Sequence, residues 1–391
     1  MAINGITGGV ADQIYDKLVA FANFGFPESH SVSFAYLVYS SAWMKLHYPA
    51  AFTAGLLDGQ PMGFWSPQTI VADARRHGVI VRRPDVNASK VASSLEPDPD
   101  SAGGAAVRLG LEYVRHVGRT MAERIVAGQP YAGMEELVRR TGVSTVQMEA
   151  LATAGAFGGG AGGAGGGNQR EALWAAGAIA LNGAALEHAN PSTTSTSTST
   201  RQGRGRRRNP APPPAPGEVT NRSQPEPDPA YPARPRHGRL PGLVTGQEAP
   251  PLPEMTAVEV NRADLWATGI SPDSHPIEFV RPALEEQGVL TARALAGVPT
   301  GRRVVVGGVV THRQRPATAQ GIIFLNLEDE TGLINVVCSR GAWARHRRVA
   351  RAESALLIRG RVENVEGVIN LVAEHIEPLR LTVATKSRDF R

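Results

Sequence analysis

The chain has 391 residues and a net charge of +5, which predicts about two or three domains and favours an anionic partner, nucleic acid first. Cys338 is the only cysteine, so a disulfide framework and a cysteine zinc site are excluded, and a lone thiol fits a reducing cytoplasm. No apolar run reaches membrane-spanning length and no signal peptide is found. We therefore expect a cytoplasmic protein without a membrane partner.

Residues 24–49 combine a helix start with apolar residues at helical spacing. Ser29 is a good N-cap residue, and a helix that begins there offers open backbone amides, hydroxyls and the imidazole of His30 to an anion such as a triphosphate. The alternative is an apolar helical hairpin with Lys45 and His47 at its solvent-exposed edge. Residue types alone leave both interpretations open.

Residues 110–128, GLEYVRHVGRTMAERIVAG, predict a helix, a tight turn and a second helix. In a helix-hairpin-helix, the turn amides and the N-terminus of the second helix hold a DNA backbone phosphate. The usual first glycine of the turn is His116 here, which weakens the prediction of a phosphate site. A second helix pair, residues 131–157, turns at Gly142 and is expected to serve packing only. The candidate DNA contacts of the first turn are Arg115, Val117, Gly118 and Arg119.

Composition marks two breaks in the chain. Residues 190–239 are rich in Ser, Thr, Pro and Arg and are predicted to be disordered, with an arginine cluster that either binds phosphates or is simply solvated. Residues 158–167 are a second, glycine-rich break. The acidic stretch 96–100, EPDPD, is interpreted as a solvated loop, without a strand to hold its carboxylates for a metal.

From residue 302 to 379 the hydrophobic period changes to two, and five strands with a helix between the third and the fourth are the order of an OB fold. In the second strand Ile323 and Leu325 point one way and Phe324 the other. An exposed aromatic among cations is suited to stack a base of single-stranded DNA, and the alternative is a barrel that packs internally. The predicted DNA contacts are His312, Arg313 and Arg315 in the first loop, Phe324 and Asn326 on strand two, Asn335 on strand three, and Arg359 and Arg361 on strand four.

Three motifs carry a family resemblance. The stretch FGFPESHSVSFAYLVYSSAWMKLHYPAAFTAGLL resembles the fingers of bacterial C-family DNA polymerases, the family of the replicative alpha subunit. PMGFWSPQTIVADARRHGV and NQREALWAAG resemble its error-prone, damage-inducible branch. The order of fingers, tandem helix-hairpin-helix and OB fold implies the C-terminal portion of such a polymerase, without its palm and thumb. The resemblance also implies that Ser29, His30, Lys45 and His47 are candidate nucleotide contacts.

The fold expected is a multidomain chain in five segments. These are a mainly α-helical fingers remnant (1–90), a tandem helix-hairpin-helix region (104–188), a disordered linker (189–240), a helical connector (254–298) and a C-terminal β-barrel OB fold (300–380).

The resemblance implies a DNA-binding portion of an error-prone polymerase that acts in translesion synthesis and DNA repair. Template-directed nucleotidyl transfer belongs to the intact family, whose palm holds Mg²⁺, and this chain is expected to contain no cofactor and to be inactive alone. The implied partners are single-stranded template, primer-template duplex, translesion accessory proteins and, through them, the sliding clamp. The alternatives are a stand-alone DNA-binding adaptor of a translesion complex and a gene remnant.

Overall fold

A computed structural model describes residues 5, 7–23, 28–158, 169–187, 251–381 and 388–390. The breaks predicted at 158–167 and 190–239 lie outside the described residues, apart from Gly158. Within the described part of the chain, no helix is both long enough and apolar enough to cross a membrane.

Four helices form the N-terminal region: α1 (Gly9–Asn23), α2 (Glu28–His47), α3 (Pro49–Asp58) and α4 (Pro67–Arg76). The helix predicted in residues 24–49 is confirmed in α2, but Ser29 is not its N-cap, because the helix already begins at Glu28. None of the described side chains of α2 is buried. In contrast, α3 and α4 bury Leu57 and Val71 in a core that includes Val107 of the following segment. The N-terminal region is therefore anchored through α3 and α4.

The next segment begins with a small sheet of β1 (Val81–Arg82), β2 (Ser94–Pro97) and β3 (Ala105–Arg108), in the order β1-β3-β2. The prediction that residues 96–100 are a solvated loop is wrong for Glu96 and Asp98, because β2 pairs antiparallel with β3 and both carboxylates bind guanidinium groups. Residues 99 and 100 do form an exposed turn. Glu96 accepts hydrogen bonds from Arg82 and Arg108, and the latter lowers the pKa of Glu96 most strongly. Asp98 is buried and pairs with Arg82 at 2.8 Å.

Two hairpins and a long helix follow: α5 (Gly118–Gly128), α6 (Met134–Thr141), α7 (Thr145–Thr153) and α8 (Gln169–Glu187). The first helix expected before α5 is only a single 3₁₀ turn, Leu111–Tyr113, because the backbone becomes extended at Val114. The turn predicted at Gly142 is confirmed, with a φ of 65° that ends α6 in the left-handed region. These helices share one core with α8.

The connector contains α9 (Ala257–Ala267), α10 (Arg281–Glu286), β4 (Val289–Leu290) and α11 (Ala292–Leu295). Its α9 is held beside the small sheet by Arg83, the residue after β1, whose guanidinium donates to both carboxylate oxygens of Asp264 at 2.9 and 2.8 Å. Burial is the main cause that raises the pKa of Asp264. The connector thus links the hairpin segment to the C-terminal barrel.

The C-terminal barrel consists of β5 (Arg303–Gln314), β6 (Ile323–Glu328), β7 (Leu333–Cys338), α12 (Arg340–Ala352), β8 (Ala355–Val365) and β9 (Val368–Pro378). The strand order β5-β6-β7-β9-β8 closes because β5 also pairs with β8, and β10 (Arg388–Phe390) runs beside β5. Leu325, Val336 and Leu371 are fully buried inside. The predicted OB order, with a helix between the third and fourth strands, is confirmed.

Candidate nucleic-acid interface

The outer face of the barrel carries rows of side chains that cross neighbouring strands. Phe324 and Asn326 are half-buried, whereas the residues that alternate with them in β6 face the core. Strand pairing sets Phe324 opposite Val337 of β7, and Asn326 opposite the exposed Asn335. Residues paired in this way lie on the same face of a sheet. Three of the predicted contacts, Phe324, Asn326 and Asn335, therefore form one patch on β6 and β7.

Strand β8 presents Arg359 and Arg361, both exposed. Arg361 belongs to the row of Phe324, because it pairs with Val372 of β9, which lies beside β7. Three inter-strand steps separate Arg361 from Phe324, about 14 Å. The guanidinium of Arg361 donates to Glu363 at 3.1 Å, an exposed ion pair of about 1 kcal/mol or less. A phosphate can compete for this cation, and Arg359 lies further along the strand.

His312 and Arg313 are the predicted contacts whose placement is wrong. Both lie within β5 rather than in the first loop, and their exposure is only 5% and 7%. The guanidinium of Arg313 donates to the backbone oxygens of Ala350 at 2.7 Å and Glu353 at 2.5 Å. It therefore holds the C-terminal end of α12 against the barrel. Of the three residues assigned to that loop, only Arg315 lies in it, and it is exposed.

The side chain that covers His312 comes from the N-terminal region. The ring of Phe64 stacks on His312 with centroids 5.2 Å apart, and Trp65 meets the same ring edge-on at 5.9 Å. Phe64 and Trp65 are still 40% and 37% exposed. Because His312 pairs with Asn326, these two aromatic residues lie beside the β6–β7 patch. The predicted contacts do not include Phe64 and Trp65, although two consecutive aromatic residues in the loop before α4 were a signal in the sequence.

The turn before α5 has hairpin geometry without its first glycine. His116 has a φ of 66° and Gly118 a φ of 61°, and Val117 is buried between them. Histidine adopts the left-handed region more readily than most residues, so it can replace the usual glycine there. No side chain caps the N-terminus of α5, so the amides of its first turn can receive a phosphate oxygen.

Two arginines flank this turn, and each has a protein partner. The guanidinium of Arg115 lies 5.0 Å from the ring centroid of Trp266 in α9. Arg119, whose side chain is 70% exposed, lies 3.4 Å from Glu112 and 3.3 Å from Glu123. Exposed pairs of this kind are weak, so a phosphate can replace the carboxylates at Arg119.

The four predicted nucleotide contacts lie at opposite ends of α2. Ser29 and His30 are exposed in its first turn, and Lys45 and His47 are in its last. A rise of 1.5 Å per residue places Ser29 and Lys45 about 24 Å apart, so one triphosphate does not reach both ends. The ammonium of Lys45 lies 2.7 Å from the carboxylate of Asp73 in α4. Ser29 and His30 therefore cannot share one nucleotide with Lys45 and His47.

Two family models match parts of the chain. A helix-hairpin-helix motif model matches residues 78–162, and an OB-fold nucleic acid binding domain model matches residues 304–379. The first match begins just before β1, so it includes the small sheet together with both hairpins. The fold and these matches define a nucleic-acid-binding protein built from a helix-hairpin-helix region and an OB fold.

The whole chain is similar to error-prone DNA polymerases. It is 51% identical to that of Nocardia farcinica over 396 residues, and 48% identical to that of Mycolicibacterium paratuberculosis over 394 residues. The identity to that of Cutibacterium acnes is 42% over 434 residues. The chain belongs to the error-prone DNA polymerases, of which it is a C-terminal portion. All of the chain is covered by these matches, but it spans only 30 to 33% of the length of these relatives.

Proposed function

We propose that this chain binds the DNA that an error-prone polymerase copies during translesion synthesis and repair in the cytoplasm. The observation that carries the proposal is the row on the outer face of the barrel, where Phe324 lies beside the Asn326–Asn335 pair and in line with Arg361. An aromatic face stacks a base of any identity, the amides hydrogen-bond to it, and the cation attracts its phosphate. Binding without strong sequence preference follows from this chemistry.

The hairpin region supplies the second contact of this proposal. The uncapped N-terminus of α5, the backbone at Val117 and Gly118, and the cations Arg115 and Arg119 suit a phosphate of duplex DNA. Such a contact positions a duplex without reading its bases. We therefore assign duplex binding to the hairpin and single-strand binding to the barrel.

Nucleotidyl transfer is proposed for the intact polymerase through its relatives, not for this segment alone. Among the described residues, no three His, Cys, Asp or Glu side chains are grouped so as to hold a metal ion. These residues do not fit Mg²⁺, and we derive no catalytic step from them. Ser29 and His30 at one end of α2, and Lys45 and His47 at the other, are proposed to contact nucleotide or template within the intact polymerase. Accessory proteins of the translesion complex, and through them the sliding clamp, are proposed partners.

The test is a titration of fluorescent oligo-dT with the full chain and variants of Phe324. Phe324→Ala should weaken binding by about 1–3 kcal/mol, because a stacked base loses its platform. Phe324→Tyr keeps the aromatic face and is the matched control, with affinity close to that of the wild type. Wild-type affinity in Phe324→Ala, or equal losses in both variants, would contradict the single-strand face.

A further inference from the structure

The helix α12 has one face against the barrel and a strongly basic opposite face. Ala342 and Ala350 are buried, with Trp343 and Val349 partly buried beside them. The helix contains no acidic residue. Its exposed arginines are Arg340, Arg345, Arg347, Arg348 and Arg351.

Four of these five arginines have no side-chain partner among the described residues, and the fifth, Arg340, donates to a backbone oxygen. In the described ranges of the chain, Arg345, Arg347, Arg348 and Arg351 form no ion pair and no side-chain hydrogen bond. The acids on the neighbouring strand β9 are engaged elsewhere, since Glu374 pairs with Arg303 and Glu377 with His375. Glu353, which follows the helix, is exposed but forms no ion pair with it, so no described carboxylate pairs with these four cations.

The arrangement is unfavourable for the isolated helix. Arg345 and Arg348, and Arg348 and Arg351, are three residues apart, and Arg347 and Arg351 are four apart. Like charges at these spacings repel each other on a helix surface, and ordinary surfaces mix both signs. A surface that keeps this repulsion is suited to an anionic ligand, which would relieve it.

The position of α12 connects this face to the barrel surface proposed to hold single-stranded DNA, on which the present inference rests. Cys338, the last residue of β7, pairs with Ile323, so α12 begins at the end of the strands where Phe324 lies. At the same end, the guanidinium of Arg340 donates to the backbone oxygen of Gln320, in the loop that carries Arg315. A strand stacked on Phe324 can continue directly onto the helix.

We propose that the outer face of α12 binds the phosphate backbone of the single strand that leaves Phe324, without contacting its bases. From Arg340 to Arg351 the helix extends about 16 Å, enough to follow several phosphates. The arginines are always charged and present planar forks that match phosphate oxygens. Binding is therefore electrostatic and strongly dependent on salt.

The test compares the full chain with the triple variant Arg345→Gln, Arg347→Gln and Arg348→Gln. The control is Arg139→Gln, Arg262→Gln and Arg293→Gln, which removes the same charge from three other exposed positions. Binding of oligo-dT of about 16 nucleotides is titrated with salt, a length within the range that an OB fold covers. Each phosphate contact on a single strand contributes about 0.7 to the slope of log K against log salt. The triple variant should lower that slope by about 2, and the control should leave it unchanged.

An unchanged slope in the triple variant, or an equal fall in the control, would overturn the proposal. Poly-glutamate binding is measured in parallel. Loss of poly-glutamate binding with an unchanged DNA slope would assign the face to an acidic protein segment and would also overturn the proposal. Phe324→Ala separates this result from the proposed function, because it should reduce affinity at every salt concentration and keep the slope. If Phe324→Ala binds like the wild type and the triple variant still lowers the slope, base stacking on Phe324 is contradicted and phosphate binding by α12 is supported.

Discussion

Glu328 is expected to fix the barrel to the N-terminal helices. Its carboxylate is 2% exposed and accepts hydrogen bonds from the hydroxyl of Thr69 at 2.9 Å and from Arg76 at 3.1 Å, both on α4. Glu328→Ala leaves these donors without their acceptor. Removing one partner of a buried ion pair costs about 3–5 kcal/mol. We expect about 3 kcal/mol, because Arg76 keeps a second carboxylate, Asp73, at 3.9 Å.

The same residue should make the junction sensitive to pH. Burial raises the pKa of Glu328 above its ordinary value of 4.5, and the charge of Arg76 offsets this only in part. The folded state therefore holds the proton more tightly than the unfolded state. The stability contributed by this protonation is complete below pH 4.5 and is lost as the pH rises through the raised pKa. Glu328→Gln is uncharged throughout and should remove this dependence, while its amide oxygen keeps one acceptor.

Hydrogen exchange of the full chain, followed by mass spectrometry, measures the effect. A loss of 3 kcal/mol corresponds to about 100-fold faster exchange in α4, with a smaller change for Glu328→Gln. Glu374→Ala removes an exposed acid that pairs with Arg303 on the same barrel, and it should leave α4 unchanged. Wild-type exchange of α4 in Glu328→Ala would refute the assignment of this contact as the anchor.

Two further predictions concern the barrel and the N-terminal helices. Arg313→Ala should speed exchange at the C-terminal end of α12 and leave the salt slope of oligo-dT binding unchanged, because this guanidinium holds backbone oxygens of Ala350 and Glu353. A smaller slope with wild-type exchange would show that Arg313 contacts phosphate instead. Amides of α2 should exchange faster than those of β5 to β9, because no described side chain of α2 is buried. Equal protection of both regions would contradict this.

The barrel could be predicted because the alternation of apolar and polar residues within each strand is a local feature of the sequence. Alternating apolar residues in each strand face one core, and the helix between the third and fourth strands interrupts the period of two. The predicted start of strand one at Arg302 differs from the observed start of β5 by a single residue. The turn at Gly142 was predictable for the same reason, since a left-handed residue there is a local requirement.

The burial of individual polar side chains could not be predicted from local patterns. His312 was predicted to be a DNA contact in a loop. In the structure its ring is in contact with Phe64 and Trp65, which are remote in the sequence. The carboxylates of Glu96 and Asp98 read as solvated because the arginines that pair with them lie on other strands. A pattern of residue types records which side chains can form ion pairs. Which pairs form depends on strand register and on domain contacts.

The barrel surface divides into a covered half and an open half. On the covered half, Val309 packs against Ile277 of the connector, and Glu328 lies under α4. On this half, the barrel packs against other parts of the protein, which was the alternative to DNA binding. The open half carries the exposed residues Asn335 and Arg361 together with the basic face of α12.

This division predicts where a bound strand protects the side chains. Saturating oligo-dT should lower hydroxyl-radical oxidation of Phe324 and of its neighbour Val337 several-fold, because a stacked base excludes water from both. Trp174, which is 51% exposed on α8 of the helical segment, outside the barrel, should keep the oxidation rate of the free protein and serves as the internal control. If Trp174 is protected and the oxidation rate of Phe324 is unchanged, the oligo-dT binds outside the barrel. A ligand other than single-stranded DNA would then have to be sought for the open half, which α4 and the connector do not cover.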